Sequence, residues 1–296
     1  DIYSNEAIMA FIPKTNNFID ENFLYYSLKG VRWNEGINKA VKGLTLNKAL
    51  ISQKEIFLPN LAIQKEIASN LDSIADFLDL RRKQLNYLKE LNKSLFTKIF
   101  GDIKTNDKNW KLFEIKEISN IITRGKTPKY ASSSNIFVIN QACIYWDKLK
   151  YENVKFHIED ESLLFLKNKD VLINSTGTGT LGRMNIIQNI IHEKFTIDSH
   201  VMLIRLKAEK TLPLYFINIF MNEKYQKDLL LKCVNGSTNQ IELSKEKFSK
   251  FKIPVPPIEL QNKFAERIEK IEKLKFIFGS PLISTNLKNS HKKVSA

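Results

Sequence analysis

Cysteine, histidine and long apolar runs are all scarce in this chain of 296 residues. The two cysteines and four histidines show no metal-ligand spacing, and so few cysteines indicate a reducing compartment. We therefore interpret Cys143 and Cys233 as core residues and predict no metal site. No stretch approaches the roughly 18 consecutive apolar residues of a membrane-spanning helix. No signal peptide is evident. Because the chain begins at Asp1 and not at Met, the question of whether residues precede it stays open.

Acidic residues are also outnumbered, because 32 Asp and Glu face 46 Lys and Arg. The resulting net charge of +14 and pI near 9.5 favour a polyanionic partner, for which nucleic acid and an anionic membrane are the two candidates. The basic residues are spread along the chain instead of lying on one amphipathic face, which favours nucleic acid.

The usual catalytic motifs are missing as well, since the chain has no Walker loop and no G-x-S-x-G elbow. The stretch Gly177–Gly182 does match the G-x-G-x-x-G pattern of a dinucleotide site, with Asp198 about 20 residues further on. The residues after it, however, are rich in β-branched side chains and poor in helix formers, so no helix follows to bind a pyrophosphate. We predict a tight loop between two strands, in a binding protein and not an enzyme.

A long helix is predicted over Leu61–Phe100, because this stretch contains no Gly or Pro, follows Pro59 and ends before Gly101. At the usual helical rise it would be about 60 Å long. Asn92 falls on its apolar face, where it either faces a partner helix and fixes the register or rotates out and is replaced by Leu91. The heptad spacing predicts a coiled-coil seam of Ile67, Leu71, Ile74, Leu78, Leu85, Leu88, Leu95 and Ile99.

The chain also repeats itself. Pro59 and Gln64 recur as Pro256 and Gln261 at an offset of 197 residues, and the apolar positions after them recur in the same heptad phase. This phase leaves the long helix without a partner in the chain beyond about Leu88. A second, shorter helix is predicted from residue 258 to 278, with a seam of Phe264, Ile268 and Ile271.

Upstream of the helices the repeat continues at an offset of 193, which aligns Ile19 with Leu212 and Phe23 with Phe216. The first copy lacks any counterpart of about residues 111–193. We therefore expect a truncated first domain that is poorly stable alone and belongs to a longer polypeptide.

These observations predict an α+β protein that combines a mostly β domain with long helices. A helix capped by Asp20 is predicted over residues 18–30, a strand over 51–59, and the one clear helix of the complete domain over 213–232. The predicted divisions are the last part of a first domain at 1–60, the long helix at 61–102, a complete second domain at 103–257, a short distal helix at 258–278 and a disordered tail at 279–296.

Five stretches resemble the specificity subunit of type I restriction-modification systems. Each is short and degenerate, but their order, together with the repeat, makes the resemblance strong over about residues 1–278. They are GKTPKY at 125–130, KDVLINSTGTGTLGR at 169–183, FTIDSHVMLIRL at 195–206, NGSTNQIELS at 235–244 and IPVPPIELQNKFAERI at 253–268.

The resemblance implies a non-catalytic subunit of the prokaryotic cytoplasm that reads double-stranded DNA for methylation and restriction. It implies two target recognition domains, each reading half of a bipartite site, and two helices that pair as an antiparallel coiled coil and set the spacing. Methyltransferase (modification) subunits and restriction (motor-nuclease) subunits would dock on it. These partners would carry S-adenosylmethionine, ATP and Mg²⁺, so we expect no cofactor on this chain.

The truncated first domain and the short distal helix leave a second interpretation open. The chain would then be a coiled-coil scaffold, or a half-subunit that associates with a second copy, without DNA specificity of its own.

Candidate DNA contacts follow from residue chemistry. Arg, Lys, Asn, Gln, Ser and Thr side chains on loops read base edges, whereas basic side chains and backbone N–H groups bind phosphates. Such side chains cluster in three loops of the complete domain. The first carries Arg124, Lys126, Lys129 and Tyr130, the second Asn174, Ser175, Thr176, Thr178, Thr180 and Arg183, and the third Ser237, Thr238, Asn239 and Gln240.

Overall fold

The structure is a computed structural model that describes residues 10–13, 18–33, 48–177, 179–188, 190, 194–236 and 241–279. The chain divides into two compact units, Asp1–Asn86 and Tyr87–Ala296. Within the described ranges the helices are α1 Glu21–Gly30, α2 Lys48–Ser52, α3 Leu61–Phe100, α4 Pro213–Met221, α5 Glu223–Cys233, α6 Lys245–Ser249 and α7 Ile258–Gly279.

The first unit contains α1, α2 and the beginning of α3. As predicted, Asp20 caps α1, because its Oδ1 accepts a hydrogen bond from the Phe23 backbone N at 2.9 Å. Phe23 is also the one side chain of α1 that is buried. The strand predicted at residues 51–59 is wrong: Ile51 and Ser52 end α2, and residues 53–60 pair with no strand among the described residues.

The long helix α3 confirms the prediction for Leu61–Phe100 at both ends. At its beginning, Asn60 Oδ1 accepts from the Ile63 backbone N at 3.0 Å, which satisfies one of the helix's unpaired donors. At its end, Gly101 adopts a φ of 78°, a conformation that favours glycine, and its N–H bonds to the Thr97 carbonyl.

The second unit contains two four-stranded sheets. One has the order β2-β9-β6-β7 and is antiparallel throughout, and the other has the order β3-β5-β4-β8 and is antiparallel except for the β4–β8 pair. These strands are β2 Ser119–Arg124, β3 Tyr130–Ala131, β4 Ile136–Ile139, β5 Lys155–His157, β6 Val171–Asn174, β7 Met184–Ile186, β8 Lys194–Ile197 and β9 Val201–Leu206.

Two short antiparallel ladders complete the second unit. One pairs β1 (Leu112–Glu114) with β12 (Lys252–Pro254), so the strand that follows α3 is bonded to the strand that precedes α7. The other is the hairpin of β10 (Val234–Asn235) and β11 (Glu242–Leu243). Short strands and turns thus dominate the domain, in agreement with the predicted α+β class.

Strands β6 and β9 have both faces buried, because two apolar cores lie on opposite sides of the first sheet. Val171 and Ile173 of β6 belong to the larger core with α4, α5 and α7, whereas Leu172 belongs to a smaller core that includes Phe195 and Ile197 of β8. This alternation is what the two-residue period of a strand requires. A buried ion pair between Arg205 and Asp170, with N–O distances of 2.7 Å, holds the loop before β6 against β9.

The single helix predicted over residues 213–232 is wrong in one respect, because it is two helices, α4 and α5. The helix is interrupted at Asn222, whose backbone N–H donates a hydrogen bond to the Ile219 carbonyl. Its Oδ1 then accepts from the Lys224 and Tyr225 backbone N atoms and caps α5. An asparagine between two apolar-periodic segments is a cap signal that the periodicity alone did not reveal.

The last part of α3 packs antiparallel against α7. Phe100 and Phe96 lie 5.3 and 5.5 Å from the ring of Phe264, near the beginning of α7, while Asn92 Nδ2 bonds to Glu272 Oε1 further along it. The expectation that α3 has no partner beyond about Leu88 is therefore wrong, because all three of these α3 residues lie beyond Leu88 and contact α7. Leu88 itself also packs against this core.

The earlier part of the predicted seam is instead the exposed part. Ile67, Ile74 and Leu78 are exposed, and Leu71 and Leu85 are half-buried. The heptad pattern identifies one continuous apolar face, but it does not say which stretch of that face is covered within the chain.

The two repeats share a buried glutamine with the same hydrogen bonds. Gln64 donates to the Phe18 and Pro59 carbonyls and accepts from the Asp20 N, and Gln261 donates to the Lys210 and Pro256 carbonyls and accepts from the Leu212 N. Both side chains are fully buried. The repeat is confirmed, but Asp20 corresponds to Leu212, an offset of 192 instead of the predicted 193.

Candidate nucleic-acid interface

The first two candidate loops lie at the same edge of the first sheet. Strands β2 and β6 flank β9 and both run antiparallel to it, so their last residues meet its beginning: Arg124 pairs with Met202, and Asn174 with Val201. The chain leaves β2 and β6 into the two loops at this edge. The fold therefore brings together polar residues that are about fifty positions apart in the sequence.

The third loop is tied to the other two at its base. Glu242 of the β10–β11 hairpin accepts from Arg124 NH1 at 3.0 Å, and the Leu243 carbonyl accepts from Arg124 NH2 at 2.7 Å. Thr176 of the second loop forms an isolated β-bridge with Glu242. Ser237, Thr238, Asn239 and Gln240, together with Thr178 of the second loop, lie outside the described residues.

Arg124, which the sequence predicts as a DNA contact, has a structural role in this fold. Its guanidinium is committed to Glu242 and Leu243, and Arg124 Nε is buried without a hydrogen-bond partner among the described residues. A planar guanidinium suits this bidentate latch, which a lysine would not reproduce.

The exposed face of the first loop carries Lys126, Lys129 and Tyr130. The loop is held from beneath by the buried His157, whose Nε2 accepts from the Lys129 backbone N at 3.0 Å. Since Nε2 accepts, the hydrogen is on Nδ1, which donates to the Ile158 carbonyl at 2.7 Å. A neutral histidine therefore fixes the backbone from which the two lysines project.

Tyr130 is 48% exposed, and Lys155 Nζ lies 4.6 Å from its ring centroid. Partial burial raises the pKa of Tyr130, with Asp198 adding to the effect, so its hydroxyl remains a hydrogen-bond donor at neutral pH. Burial likewise raises the pKa of Asp198, although the carboxylate accepts from the His200 backbone N.

The second loop is a tight turn between the antiparallel strands β6 and β7, as predicted. Gly177, Gly179 and Gly182 have φ values of 96°, 78° and 79°, which only glycine adopts freely, and no helix opens at Gly182. A Cβ at Gly177 would lie 2.5 Å from Thr180 Oγ1. The G-x-G-x-x-G match therefore has the wrong geometry for a dinucleotide site.

Two of the predicted DNA contacts are not accessible. Asn174 and Ser175 are both fully buried, so they have no surface to offer to DNA in this structure. Asn174 Nδ2 donates to the Gln141 carbonyl, and the Ser175 backbone bonds to His200 and Leu243. These hydrogen bonds hold the buried base of the loop in place, and the chain reaches the surface only after Ser175.

The other described candidates of this loop, Thr176, Thr180 and Arg183, are partly exposed. Thr176 Oγ1 shares a 2.9 Å hydrogen bond with Nδ1 of the exposed His200, and Thr180 Oγ1 donates to the Thr176 and Gly177 carbonyls. Arg183 NH2 donates to the Gly179 carbonyl at 2.9 Å. The loop is thus closed by its own side chains.

The sequence reasoning missed several residues at this surface. Tyr145 and Lys150 lie beside Arg183, Lys155 lies on Tyr130, and His200 bonds to Thr176. The alternation of aromatic and basic residues in YWDKLKY at 145–151 is typical of nucleic-acid surfaces and could have identified the first two.

The part of the chain that the structure describes contains no group of three or more His, Cys, Asp and Glu side chains placed to hold a metal ion. Among the same residues, no helix has both the length and the apolar composition needed to cross a membrane. Cys143 and Cys233 are buried, and burial raises the pKa of each thiol to about 11. Both are protonated core residues at neutral pH.

Comparison with known proteins identifies a consistent set of relatives. The family model described as type I restriction modification DNA specificity domain matches residues 1–90 and 107–278. The specificity subunit of the type I restriction enzyme MjaVIII from Methanocaldococcus jannaschii is 26% identical over 291 residues, which cover 90% of this chain and 67% of that protein. The putative MjaX specificity subunit of the same organism is 23% identical over 90% of this chain and 64% of its own length.

Among solved structures, the S subunit of a type I restriction-modification system from M. genitalium has a TM-score of 0.53 at 16% identity. The match covers 88% of this chain and 68% of that one. This similarity supports the fold alone. The chain spans about two thirds of the length of the curated relatives that it matches.

Proposed function

We propose a DNA-reading function for this chain, which belongs to the family of type I restriction modification DNA specificity domains. The unit Tyr87–Ala296 would bind one half of a bipartite site in double-stranded DNA. The observation that carries the proposal is that two polar loops converge at one edge of the β2-β9-β6-β7 sheet and are tied to the β10–β11 hairpin through Arg124, Glu242 and Thr176.

The charge and the side chains at this edge suit DNA. Lys126 and Lys129 are exposed there, Tyr130 presents a protonated hydroxyl, and the chain carries a net charge of +14. Lysine and hydroxyl side chains on loops are of the kind that reads base edges, and excess positive charge supplies the phosphate attraction. We assign reading to the exposed Lys126 and Lys129 of the first loop, and support of the loops to Arg124, Asn174 and Ser175.

We further propose that the chain is non-catalytic and works by docking. Methyltransferase and restriction subunits would supply the chemistry together with S-adenosylmethionine, ATP and Mg²⁺. In support, the named relatives are specificity subunits, and the loop Gly177–Gly182 lacks the helix that a nucleotide phosphate requires. The exposed apolar side chains of α3, among them Ile74 and Phe77, offer a surface of the kind that partners cover.

The test is selection of bound sequences from a random library of DNA duplexes with the purified full chain. We expect one enriched sequence for the wild-type chain and a changed or weakened preference for the Lys126→Gln, Lys129→Gln double variant. The matched control is the Lys89→Gln, Lys98→Gln double variant, which removes two exposed lysines from α3 and should leave the preference intact. A wild-type chain that enriches no sequence would overturn the proposal.

A further inference from the structure

Two cations share one aromatic ring beside the Gly-rich loop. Lys150 Nζ lies 4.2 Å from the centroid of the Tyr145 ring, and the Arg183 guanidinium carbon lies 5.1 Å from it. Both distances are within the range of a cation–π contact. The ring therefore contacts two positive charges, and no carboxylate among the described residues forms an ion pair with either of them.

The position of this cluster is fixed on three sides. The Tyr145 carbonyl accepts from Asn185 Nδ2 at 2.6 Å, which ties it to β7, and the Tyr145 N–H bonds to the Lys148 carbonyl. Arg183 NH2 donates to the Gly179 carbonyl, so the same guanidinium closes the Gly-rich loop. A Cβ built on Gly179 would have no neighbouring atom within 4 Å among the described residues, so there is space beside this glycine.

From this geometry we propose that Tyr145, Lys150 and Arg183 form a binding site for a DNA backbone phosphate. The inference rests on the proposed function and deepens it. Two cations that contact one ring raise the local positive charge, which attracts a phosphate, and the arginine retains donors beyond the one committed to Gly179. A guanidinium so restrained has little freedom to follow a base edge, so Arg183 positions the DNA and does not read its sequence.

The experiment measures the affinity of the full chain for its selected duplex and for a scrambled duplex over a series of salt concentrations. Lys150→Gln and Arg183→Gln should each lower the affinity for both duplexes by the same factor. Each should also lower the slope of log K against log salt by about one. The matched control is Lys89→Gln, which also removes one exposed positive charge but lies on α3. The control should keep the wild-type slope.

Two substitutions of the ring test whether it holds the cations. Tyr145→Phe keeps the aromatic face and should leave the slope unchanged, whereas Tyr145→Leu should lower the affinity for both duplexes by the same factor. Thermal unfolding of each variant confirms that the chain is still folded.

Three outcomes overturn the inference. In the first, Arg183→Gln changes the ratio of the two affinities, which would make Arg183 a base reader. In the second, the slope is unchanged in both cation variants while the wild-type chain still discriminates between the duplexes, so that only the phosphate site fails. In the third, the wild-type chain binds neither duplex, and the proposed function fails together with the inference.

Discussion

The two ends of α3 carry the same heptad pattern but have different surroundings. Near its last residue, the seam residues Leu95 and Ile99 pack against the larger core, beside the buried Phe96 and Phe100. Near its beginning, apolar residues of the same face, such as Ile74, are exposed. The difference teaches that periodicity identifies a face that needs a partner, whereas the partner itself is decided by the rest of the fold.

The largest expected effect comes from the buried end. Phe100 is fully buried and contacts three aromatic rings at 4.8, 5.0 and 5.3 Å, so Phe100→Ala should destabilise the chain by about 3–5 kcal/mol through loss of burial and the remaining cavity. Phe77→Ala, on the exposed face of the same helix, should cost less than about 1 kcal/mol. Denaturant unfolding of both variants checks the contrast, and equal losses would contradict it.

The paired glutamines give the next contrast, since each repeat has its own. Gln261→Ala would leave the Lys210 and Pro256 carbonyls and the Leu212 N–H without their partner, at a cost of about 1–3 kcal/mol.

Gln64→Ala should have the same local effect in the first unit, because its three hydrogen bonds are equivalent. Amide hydrogen exchange distinguishes the two variants: Gln261→Ala should raise the exchange rate at the Leu212 amide, and Gln64→Ala that at the Asp20 amide. A faster exchange at Leu212 in both variants would show that the two sets of glutamine hydrogen bonds are not independent.

The helices and the repeat could be predicted from the sequence because their signals are local. The absence of Gly and Pro over Leu61–Phe100 was enough to predict α3, and the recurrence of Gln64 as Gln261 was enough to identify the repeat. Phe96 and Phe100 were missed because the predicted seam continued through Leu95 and Ile99. An α-helix drifts against a strict heptad, and at its end α3 is enclosed by a globular domain, which buries a wider face.

The candidate site was only partly predictable, because accessibility is a tertiary property. Residue type identified Lys126, Lys129 and Tyr130, which are exposed. The same criterion selected Asn174 and Ser175, which the fold buries beneath the loop. It missed Tyr145, whose importance comes from two cations that lie 5 and 38 positions away in the sequence.

The smallest expected effect lies between the two ends of α3. Asn92 faces α7, where its Nδ2 bonds to Glu272, but its Oδ1 is buried without a partner among the described residues, while Leu91 is 44% exposed. This resolves the two alternatives for Asn92 in favour of the seam. Asn92→Leu removes the unsatisfied oxygen and should stabilise the chain by about 1 kcal/mol, since a polar seam residue fixes register at a cost in stability.

The exchanged variant, Leu91→Asn, provides the control for this prediction. It places an amide on the exposed side and should change the free energy of unfolding by less than about 0.5 kcal/mol. Denaturant midpoints measure both variants. If Asn92→Leu were instead destabilising, the bond to Glu272 would outweigh the buried oxygen, and Asn92 would belong with Phe96 and Phe100 among the contacts that hold α3 to α7.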